Sequence, residues 1–180
     1  TGSIITTSGY VLTCAHVVRN CDRIRARLYT PGMVGGDYRW FECELLDSIK
    51  EDCDMAVIKL KGENFKQISL RPEEKEIGTG EETLLIGYPL GAMLTGNRID
   101  ELTVSNFSGR IASVQTVEEI ERFYIDTTGL HGNSGSPVIS RKDGRMIGVF
   151  SGSVAPHKDG NLDELNYFYP IKYFWEKYIV

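Results

Sequence analysis

The apolar residues of this chain fall in short runs, and Gly, Asn, Asp and Pro separate one run from the next. Short apolar runs bounded by turn-forming residues are typical of β-strands in an all-β protein, whereas helices need longer stripes with a 3.6-residue period. The pattern predicts strands at 3–6, 10–13, 23–29, 39–46, 55–60, 83–88, 102–114, 123–128, 136–140, 146–151 and 166–171.

A polar stretch at 61–82 interrupts these runs and divides the predicted strands into two groups. We therefore expect two antiparallel β units in one folded chain, an N-terminal unit over 1–62 and a C-terminal unit over 83–170. Residues 63–82 would form the linker between them. After the last strand, aromatic residues at helical spacing predict a short helix over 171–180 that packs by its aromatic face.

Composition and charge narrow the functional classes. With 41% hydrophobic and 25% charged residues, the chain has the composition of a folded globular domain. Its 20 Lys and Arg residues against 25 Asp and Glu give a net charge of -5, so no overall positive field would attract a nucleic acid. No apolar run approaches the roughly 18 residues that a membrane span requires. The first residues lack a targeting segment, which leaves a periplasmic, secreted or cytoplasmic location open.

Cysteine and histidine positions give no sign of a metal site. The cysteines include no C-x-x-C pair and the histidines are scattered, so the spacing of a zinc site is absent. These residues are Cys14, Cys21, Cys43 and Cys53, with His16, His131 and His157. We predict no bound metal. The pairing of the cysteines stays open, because four cysteines allow three complete connectivities.

Three short segments each offer one group of a nucleophilic relay. His16 ends an apolar strand, Asp54 directly precedes another, and Ser134 lies in a turn between Gly132 and Gly135. Each has an ordinary structural explanation when taken alone: a satisfied structural histidine, a strand-end cap and a tight turn. Together they supply what catalysis by a serine nucleophile requires, a base that takes the hydroxyl proton and a carboxylate that holds the base.

The order and surroundings of these residues resemble a known family. The chain contains Thr-x-Ala-His at 13–16, Asp-x-Ala-x-x-x-Leu at 54–60 and Gly-Asn-Ser-Gly-Ser-Pro at 132–137. In these motifs and their order it resembles the chymotrypsin-like (trypsin-like) serine peptidases, most closely their bacterial HtrA-like and glutamyl-endopeptidase-like branches. The resemblance covers nearly the whole chain. It implies a double barrel of two six-stranded antiparallel β-barrels with a short C-terminal helix.

The resemblance also concerns what lies outside the sequence. The family normally begins its first barrel with a strand upstream of the segment where this sequence starts. Either residues before Thr1 supply that first strand, or the edge of the first barrel is completed in another way. HtrA-like peptidases often carry a PDZ domain after the catalytic domain, so further domains in the parent chain belong to what the resemblance implies.

The resemblance implies a role for each relay residue. His16 would be the general base, Asp54 the carboxylate that orients it, and Ser134 the nucleophile. The backbone N–H groups of Gly132 and Ser134 would form the oxyanion hole. Asp52 is the alternative acid, but Asp54 is preferred because the family's aspartate directly precedes its apolar strand. No metal or organic cofactor is implied.

The same resemblance implies a lining for the pocket that receives the substrate's P1 side chain: Thr128, Phe150, Ser151 and Ser153, with His131 at the rim. Members that recognise Arg or Lys have a carboxylate six residues before the nucleophile, where this chain has Thr128. Glutamyl endopeptidases have a pocket histidine where this chain has Phe150. We expect preference for an uncharged, small to medium apolar side chain, with His131 as the one residue that would attract an acidic one.

These residues predict a serine endopeptidase that acts on a protein or peptide substrate through an acyl-enzyme intermediate. An α/β-hydrolase is disfavoured because it needs Gly-x-Ser-x-Gly and the order Ser, Asp, His, whereas this chain has Ser136 at the fifth motif position. The alternative from another class is a catalytically latent peptidase-like domain that binds peptides or awaits an activating partner. The sequence leaves it open, because an unformed oxyanion hole leaves no trace there.

Overall fold

The computed structural model describes residues 1–28, 40–50, 52–72, 77–91, 93, 102, 104–154 and 165–179. Within these ranges the chain forms eleven β-strands and two short helices, which confirms the predicted all-β class. In chain order they are β1 (Gly2–Ile4), β2 (Tyr10–Thr13), α1 (Ala15–Val18), β3 (Ile24–Arg27), β4 (Trp40–Lys50), β5 (Cys53–Leu60), β6 (Glu82–Gly87), β7 (Ser105–Val117), β8 (Ile120–Ile125), β9 (Pro137–Ser140), β10 (Met146–Val154), β11 (Leu165–Pro170) and α2 (Lys172–Tyr178). Neither helix has the length and hydrophobicity to cross a membrane.

The C-terminal strands close into the predicted six-stranded barrel. Their order is β10-β11-β8-β7-β6-β9, and every neighbouring pair is antiparallel, including β9 with β10, which closes the ring. Because side chains alternate between the two faces of a strand, each strand sends part of its apolar residues into the interior. The barrel core consists of Ile77, Leu85, Ile111, Phe123, Ile125, Val138, Ile147, Phe150 and Phe168.

The N-terminal strands form a five-stranded antiparallel sheet in the order β1-β2-β5-β4-β3. The central strand β5 is buried on both faces, and its successive apolar residues pack alternately into two clusters. One face carries Cys53, Met55 and Val57, and the other carries Ala56, Ile58 and Leu60.

The fold prediction is therefore confirmed, because the C-terminal unit is a closed six-stranded barrel and the N-terminal unit is a half-barrel sheet, as expected if the first strand of its barrel is not among the described strands. Within the described residues, β1 pairs only with β2 and β3 pairs only with β4, so the sheet has two edges. The physical reason is that no described strand bridges β1 and β3, and a sheet closes into a barrel only when every edge is paired.

A shared core joins the two units. It contains Leu12 and Met55 from the sheet, Met146 and Val149 from the barrel, and Phe174 from α2. Fully burying a side chain of this size contributes about 1.5–3 kcal/mol relative to exposure. The helix α2, predicted at 171–180, thus packs its aromatic face between the two units and holds them together.

The segment between β5 and β6 lies against the barrel. Leu70 forms an isolated parallel bridge with Met146. The Arg71 guanidinium is fully buried and pairs with Glu81 and with Asp143. A buried guanidinium needs such partners, because an unpaired charge in the interior costs several kcal/mol.

Candidate active site

His16 lies in the first turn of α1, directly after a strand of the N-terminal sheet. The strand β2 ends at Thr13, Cys14 keeps an extended backbone, and the helix begins at Ala15. The prediction that His16 ends the strand was therefore wrong, because His16 belongs to the short helix that follows the strand. The helix buries Ala15 and Val18, which leaves the His16 side chain 50% exposed.

Asp54 contacts His16 at two points. The backbone N–H of His16 donates to Asp54 Oδ1 at 2.9 Å, and His16 Nδ1 lies 2.5 Å from Asp54 Oδ2. An ionised carboxylate only accepts hydrogen bonds, so this contact puts the proton on Nδ1 and leaves Nε2 as the acceptor nitrogen. Asp54 lies inside β5 rather than directly before it. Asp52 is exposed, and among the described contacts its side chain forms no hydrogen bond with His16.

Ser151 connects this pair to the barrel, a role that the sequence pattern did not indicate. Its hydroxyl donates to Asp54 Oδ2 at 2.7 Å, and its carbonyl oxygen accepts the Ser134 hydroxyl at 3.1 Å. Ser151 is buried on β10 next to an apolar run. A serine buried at the end of such a run is the signal that could have revealed it, because a buried hydroxyl requires a partner.

The turn that carries Ser134 depends on two glycines. Gly132 and Gly135 have φ values of +97° and +84°, a region that side-chain-bearing residues rarely adopt. A Cβ on Gly132 would lie 2.2 Å from the Tyr88 carbonyl oxygen, and one on Gly135 would lie 2.0 Å from the Thr1 carbonyl oxygen. Both positions therefore exclude any other residue.

The turn presents two unused donors beside the Ser134 hydroxyl. Within the described part of the chain, the backbone N–H groups of Gly132 and Ser134 donate no hydrogen bond. Their neighbours are engaged, since Asn133 N donates to Leu130 O at 3.0 Å and Gly135 N donates to Phe150 O at 2.8 Å. Two free donors in the turn that carries the hydroxyl are what an oxyanion hole requires.

Two buried polar side chains of this turn pack against Gly87. Asn133 and Ser136 are fully buried, and the side-chain amide of the first and the hydroxyl of the second find no hydrogen-bond partner within the described residues. Both lie against Gly87, where a Cβ would come within 2.2 Å of Ser136 Oγ and 2.7 Å of Asn133 Oδ1. A side chain at position 87 would therefore displace the Ser136 hydroxyl and the Asn133 amide from these positions.

Cys14 lies beside the same cluster as a neutral thiol. It is fully buried, and its Sγ donates to the Phe150 carbonyl oxygen at 3.1 Å. Burial, followed by the negative charge of Asp54, raises the pKa of the thiol well above its ordinary value. Cys14 is therefore not a thiolate nucleophile at neutral pH.

The residues predicted to line a P1 pocket differ in exposure. Phe150 and Ser151 are buried on β10, whereas Thr128, His131 and Ser153 are exposed. The buried pair contacts the Ser134 turn, through Phe150 O to Gly135 N and through Ser151 O to Ser134. The backbone carbonyl of His131 accepts a hydrogen bond from Leu90 N, which ties that loop to the residues after β6.

Asn166 connects several of these residues, although the sequence pattern did not single it out. It is buried on β11 opposite Ser153, and its side-chain Nδ2 donates to Thr127 O at 2.6 Å. A Cβ on Gly129 would lie 2.0 Å from Asn166 Oδ1 and 2.8 Å from Phe150 Cζ. An asparagine in an otherwise apolar strand could have drawn attention to this position, because such residues are mostly exposed.

Comparison with known proteins shows which family this chain is similar to. The sequence model of the family described as "Trypsin-like peptidase domain" matches residues 1–149. The protein named Serine protease Do-like HtrB, from Bacillus subtilis (strain 168), is 28% identical over 149 residues, which are 79% of this chain and 29% of that protein. Serine endoprotease DegS, from Haemophilus influenzae, is 27% identical over 175 residues, 94% of this chain and 46% of that protein.

Solved structures agree in fold. The structure described as HtrA-type protease AlgW with decapeptide has a TM-score of 0.71 at 24% identity and covers 95% of this chain and 47% of that one. AlgW with tripeptide has a TM-score of 0.75 at 23% identity. The chain thus spans less than half the length of the relatives HtrB and DegS.

Proposed function

The chain belongs to the trypsin-like peptidase domain family, and we propose that it is a serine endopeptidase that cleaves peptide bonds through an acyl-enzyme on Ser134. Its relatives carry the names of serine proteases and endopeptidases. The observation that carries the proposal is the hydrogen-bonded series from His16 through Asp54 and Ser151 to Ser134. It supports the proposal because it gathers a base, an acid and a hydroxyl from both β units at one point.

In the proposed reaction, Nε2 of His16 takes the Ser134 hydroxyl proton as Oγ attacks the carbonyl carbon of the substrate. Asp54 keeps the proton on Nδ1 and stabilises the imidazolium that forms. The tetrahedral intermediate collapses when His16 gives its proton to the leaving amine, which leaves an ester on Ser134. Water, activated by the same base, then hydrolyses the ester and releases the carboxylic acid.

The negative charge of the intermediate develops on the former carbonyl oxygen. We assign its stabilisation to the backbone N–H groups of Gly132 and Ser134, which have no other acceptor among the described residues. A donor of this kind contributes about 2.7–4 kcal/mol of transition-state stabilisation. The positive φ values of Gly132 and Gly135 support this assignment, because glycine conformations of this kind let a turn present its backbone N–H groups to an anion.

Attack requires Ser134 to give up one hydrogen bond. Ser134 Oγ donates to Ser151 O at 3.1 Å, so the hydroxyl has to redirect its proton toward His16 before it can pass it on. The bond to Ser151 O contributes about 0.5–1.5 kcal/mol net, and a hydrogen bond to His16 would offset that loss. The exchange of one hydrogen bond for the other therefore has a small net cost.

The substrate is proposed to be a protein or peptide. The solved neighbours are described as proteases with a decapeptide or a tripeptide. Around the proposed P1 pocket, Phe150 is apolar and buried, and Thr128, Ser151 and Ser153 carry no charge. This lining supports preference for an uncharged, small to medium apolar P1 side chain, with exposed His131 as the one group at the rim that an acidic side chain would contact.

A second candidate function rests on the same hydrogen bond. Because Ser134 donates to Ser151 O instead of His16, the arrangement also fits a latent peptidase-like domain that binds peptides or awaits an activating partner. The relatives are two to three times longer than this chain. Further domains in the parent chain are therefore part of this proposal.

Reaction with a serine-directed fluorophosphonate tests both candidates. We expect the purified chain to form an adduct that peptide mapping locates on Ser134, and to cleave a peptide mixture. Ser134→Ala should do neither, while Ser108→Ala, an exposed serine on β7, should behave as wild type. A folded wild-type chain that binds peptides without adduct or cleavage would establish latency. An adduct on another residue would contradict both candidates.

A further inference from the structure

Cys14 lies within reach of the two residues that form the proposed base and acid. Its Sγ, a ring nitrogen of His16 and a carboxylate oxygen of Asp54 are all within 4.8 Å of one another. Thiolate, imidazole and carboxylate are the three ligand types that Zn²⁺ takes from proteins. Sequence spacing could not reveal the set, because Asp54 comes from a different strand, 38 residues after His16.

We propose that Cys14, His16 and Asp54 form an inhibitory site for a thiophilic divalent cation such as Zn²⁺. The cation would occupy the position between the three ligand atoms and leave a fourth coordination position for water, as in zinc sites with three protein ligands. The inhibitory effect rests on the proposed function, whereas binding of the cation does not.

The distances are close to those of a zinc site. With Zn–S near 2.3 Å and Zn–N near 2.0–2.1 Å, ligand atoms in a tetrahedral site lie roughly 3.3–3.8 Å apart. The 2.5 Å separation of His16 Nδ1 and Asp54 Oδ2 has to widen, and the separation of up to 4.8 Å has to shrink, each by about 1 Å. The His16 ring is half exposed, so it can shift and give the cation a path from solvent.

The charges of the set also suit a divalent cation. A Cys14 thiolate and the Asp54 carboxylate carry two negative charges, which the cation neutralises, and neutral His16 adds none. This matters because uncompensated charge is costly in a site where Cys14 is fully buried. The cation displaces the thiol proton, which is the usual event when zinc binds cysteine.

Neighbouring groups tolerate the change. When Cys14 loses its proton it no longer donates to Phe150 O, but that carbonyl still accepts from Gly135 N at 2.8 Å. The Ser151 hydroxyl still donates to Asp54 and orients the carboxylate toward the cation. The site therefore forms without leaving a buried carbonyl unsatisfied.

Occupancy would stop catalysis by replacing a proton. The cation takes the position of the proton on His16 Nδ1 and draws electron density from the ring, so Nε2 becomes a poorer base. The cation also separates the Asp54 carboxylate from His16 Nδ1, so Asp54 no longer orients the imidazole ring. Ca²⁺ and Mg²⁺ prefer sites made only of oxygen ligands, so they should not bind here.

The test begins with Co²⁺, which reports its ligands by absorption. We expect Co²⁺ to give a thiolate-to-metal charge-transfer band with the purified wild-type chain, and Zn²⁺ to abolish that band by competition. The band should be absent from Cys14→Ala and present in Cys53→Ala, a matched variant of a buried cysteine next to Asp54. Circular dichroism checks that each variant is folded. No turnover is needed, so this part stands even if the chain is latent.

Peptide hydrolysis supplies the second arm. The rate of each protein with Zn²⁺ is compared with the rate of the same protein in the presence of a chelator. The Zn²⁺ concentration that inhibits wild type should be at least tenfold lower than the concentration that inhibits Cys14→Ala. Ca²⁺ and Mg²⁺ at the same concentration should leave the wild-type rate unchanged. Absence of the cobalt band in wild type, its persistence in Cys14→Ala, or its loss in Cys53→Ala would each overturn the site. Equal zinc inhibition of wild type and Cys14→Ala would overturn the inhibitory mechanism.

Discussion

The two β units differ in closure, and each contributes a different half of the candidate site. Every strand of the C-terminal barrel is paired on both sides. The N-terminal sheet has edges at β1 and β3 within the described residues, and an apolar groove of about 690 Å³ opens between them. Its walls include Ile4, Val11, Ile24, Ile58 and Phe65.

The less closed unit nevertheless holds its site residues on or beside its interior strands. His16 lies in α1, the short helix that follows β2, and β2 lies between β1 and β5. Asp54 belongs to β5, which lies between β2 and β4. The open edges are one or more strands away. Edges open locally at lower free energy than strands paired on both sides. The comparison indicates that the geometry of the site depends on the pairing of β2 and β5 on both sides. It depends less on whether the whole unit closes into a barrel.

The largest expected effect tests whether the two halves act as one unit. Ser134→Ala changes the barrel and His16→Ala changes the sheet, yet each should lower kcat/KM for peptides by about 10,000-fold or more. The double variant should be no worse than either single variant, because groups that act together are not additive. Ser108→Ala serves as control. Losses that multiply in the double variant would show two independent contributions and contradict a joint site.

The next largest effect concerns the anchoring of the segment between the units. Arg71→Met removes a fully buried guanidinium from Glu81 and leaves that carboxylate, of which 11% is exposed, without its main partner. Breaking a buried pair by removing one member costs about 3–5 kcal/mol. Urea unfolding should show this loss, and the double variant with Glu81→Gln should recover part of it. A loss below about 1 kcal/mol would mean that the pair does not anchor the segment.

Sequence reasoning predicted most where the signal is local. The apolar run at Tyr10–Thr13 matches β2, and six strands of the C-terminal unit were expected from their runs. The helix α1 was missed because its four residues are too short for a helical period. The open edge of the first sheet was anticipated only through the family resemblance, since pairing between strands that are distant in sequence leaves no trace in the pattern of either strand.

Contacts between the units could not be predicted from spacing. Ser151 was expected in a pocket wall, while the structure has its hydroxyl on Asp54. That contact joins residues 97 positions apart. Burial of Asn133 and Asn166 likewise depends on neighbours from other strands. Residue types of the site were readable from motifs, whereas the hydrogen bonds that link them arise only when sheet and barrel pack together.

A smaller effect should follow from cutting the contact between the units at the site. Ser151→Ala removes the hydroxyl that donates to Asp54 Oδ2 at 2.7 Å, while both His16 contacts remain. A hydrogen bond to a charged group contributes about 1.5–3 kcal/mol, which corresponds to a loss of roughly 10- to 100-fold. We expect the loss in kcat, with KM little changed, because the contact orients the acid and not the substrate. An equal rise in KM alone would assign Ser151 to substrate binding.

The smallest effect is expected for the exposed ion pair between Asp47 and Lys177, in contrast to the buried pair at Arg71. Asp47 on β4 accepts from Lys177 and from the Tyr178 hydroxyl of α2, both at 2.8 Å, and these two donors lower the pKa of the Asp47 carboxyl. A carboxyl whose pKa is lowered in the folded state stabilises the fold above its ordinary pKa, and this contribution fades as the pH falls through the folded value. Because 43% of the Asp47 side chain is exposed, solvent screens the pair, and Asp47→Asn should cost less than about 1 kcal/mol at pH 7.

The melting temperatures of wild type and Asp47→Asn should converge as the pH falls below about 4. Asp52→Asn, which changes an exposed carboxylate of the same unit, serves as control. A difference that grows in acid would show that the carboxyl contributes in its protonated form, and the ion pair would then not be what holds α2 to the open sheet.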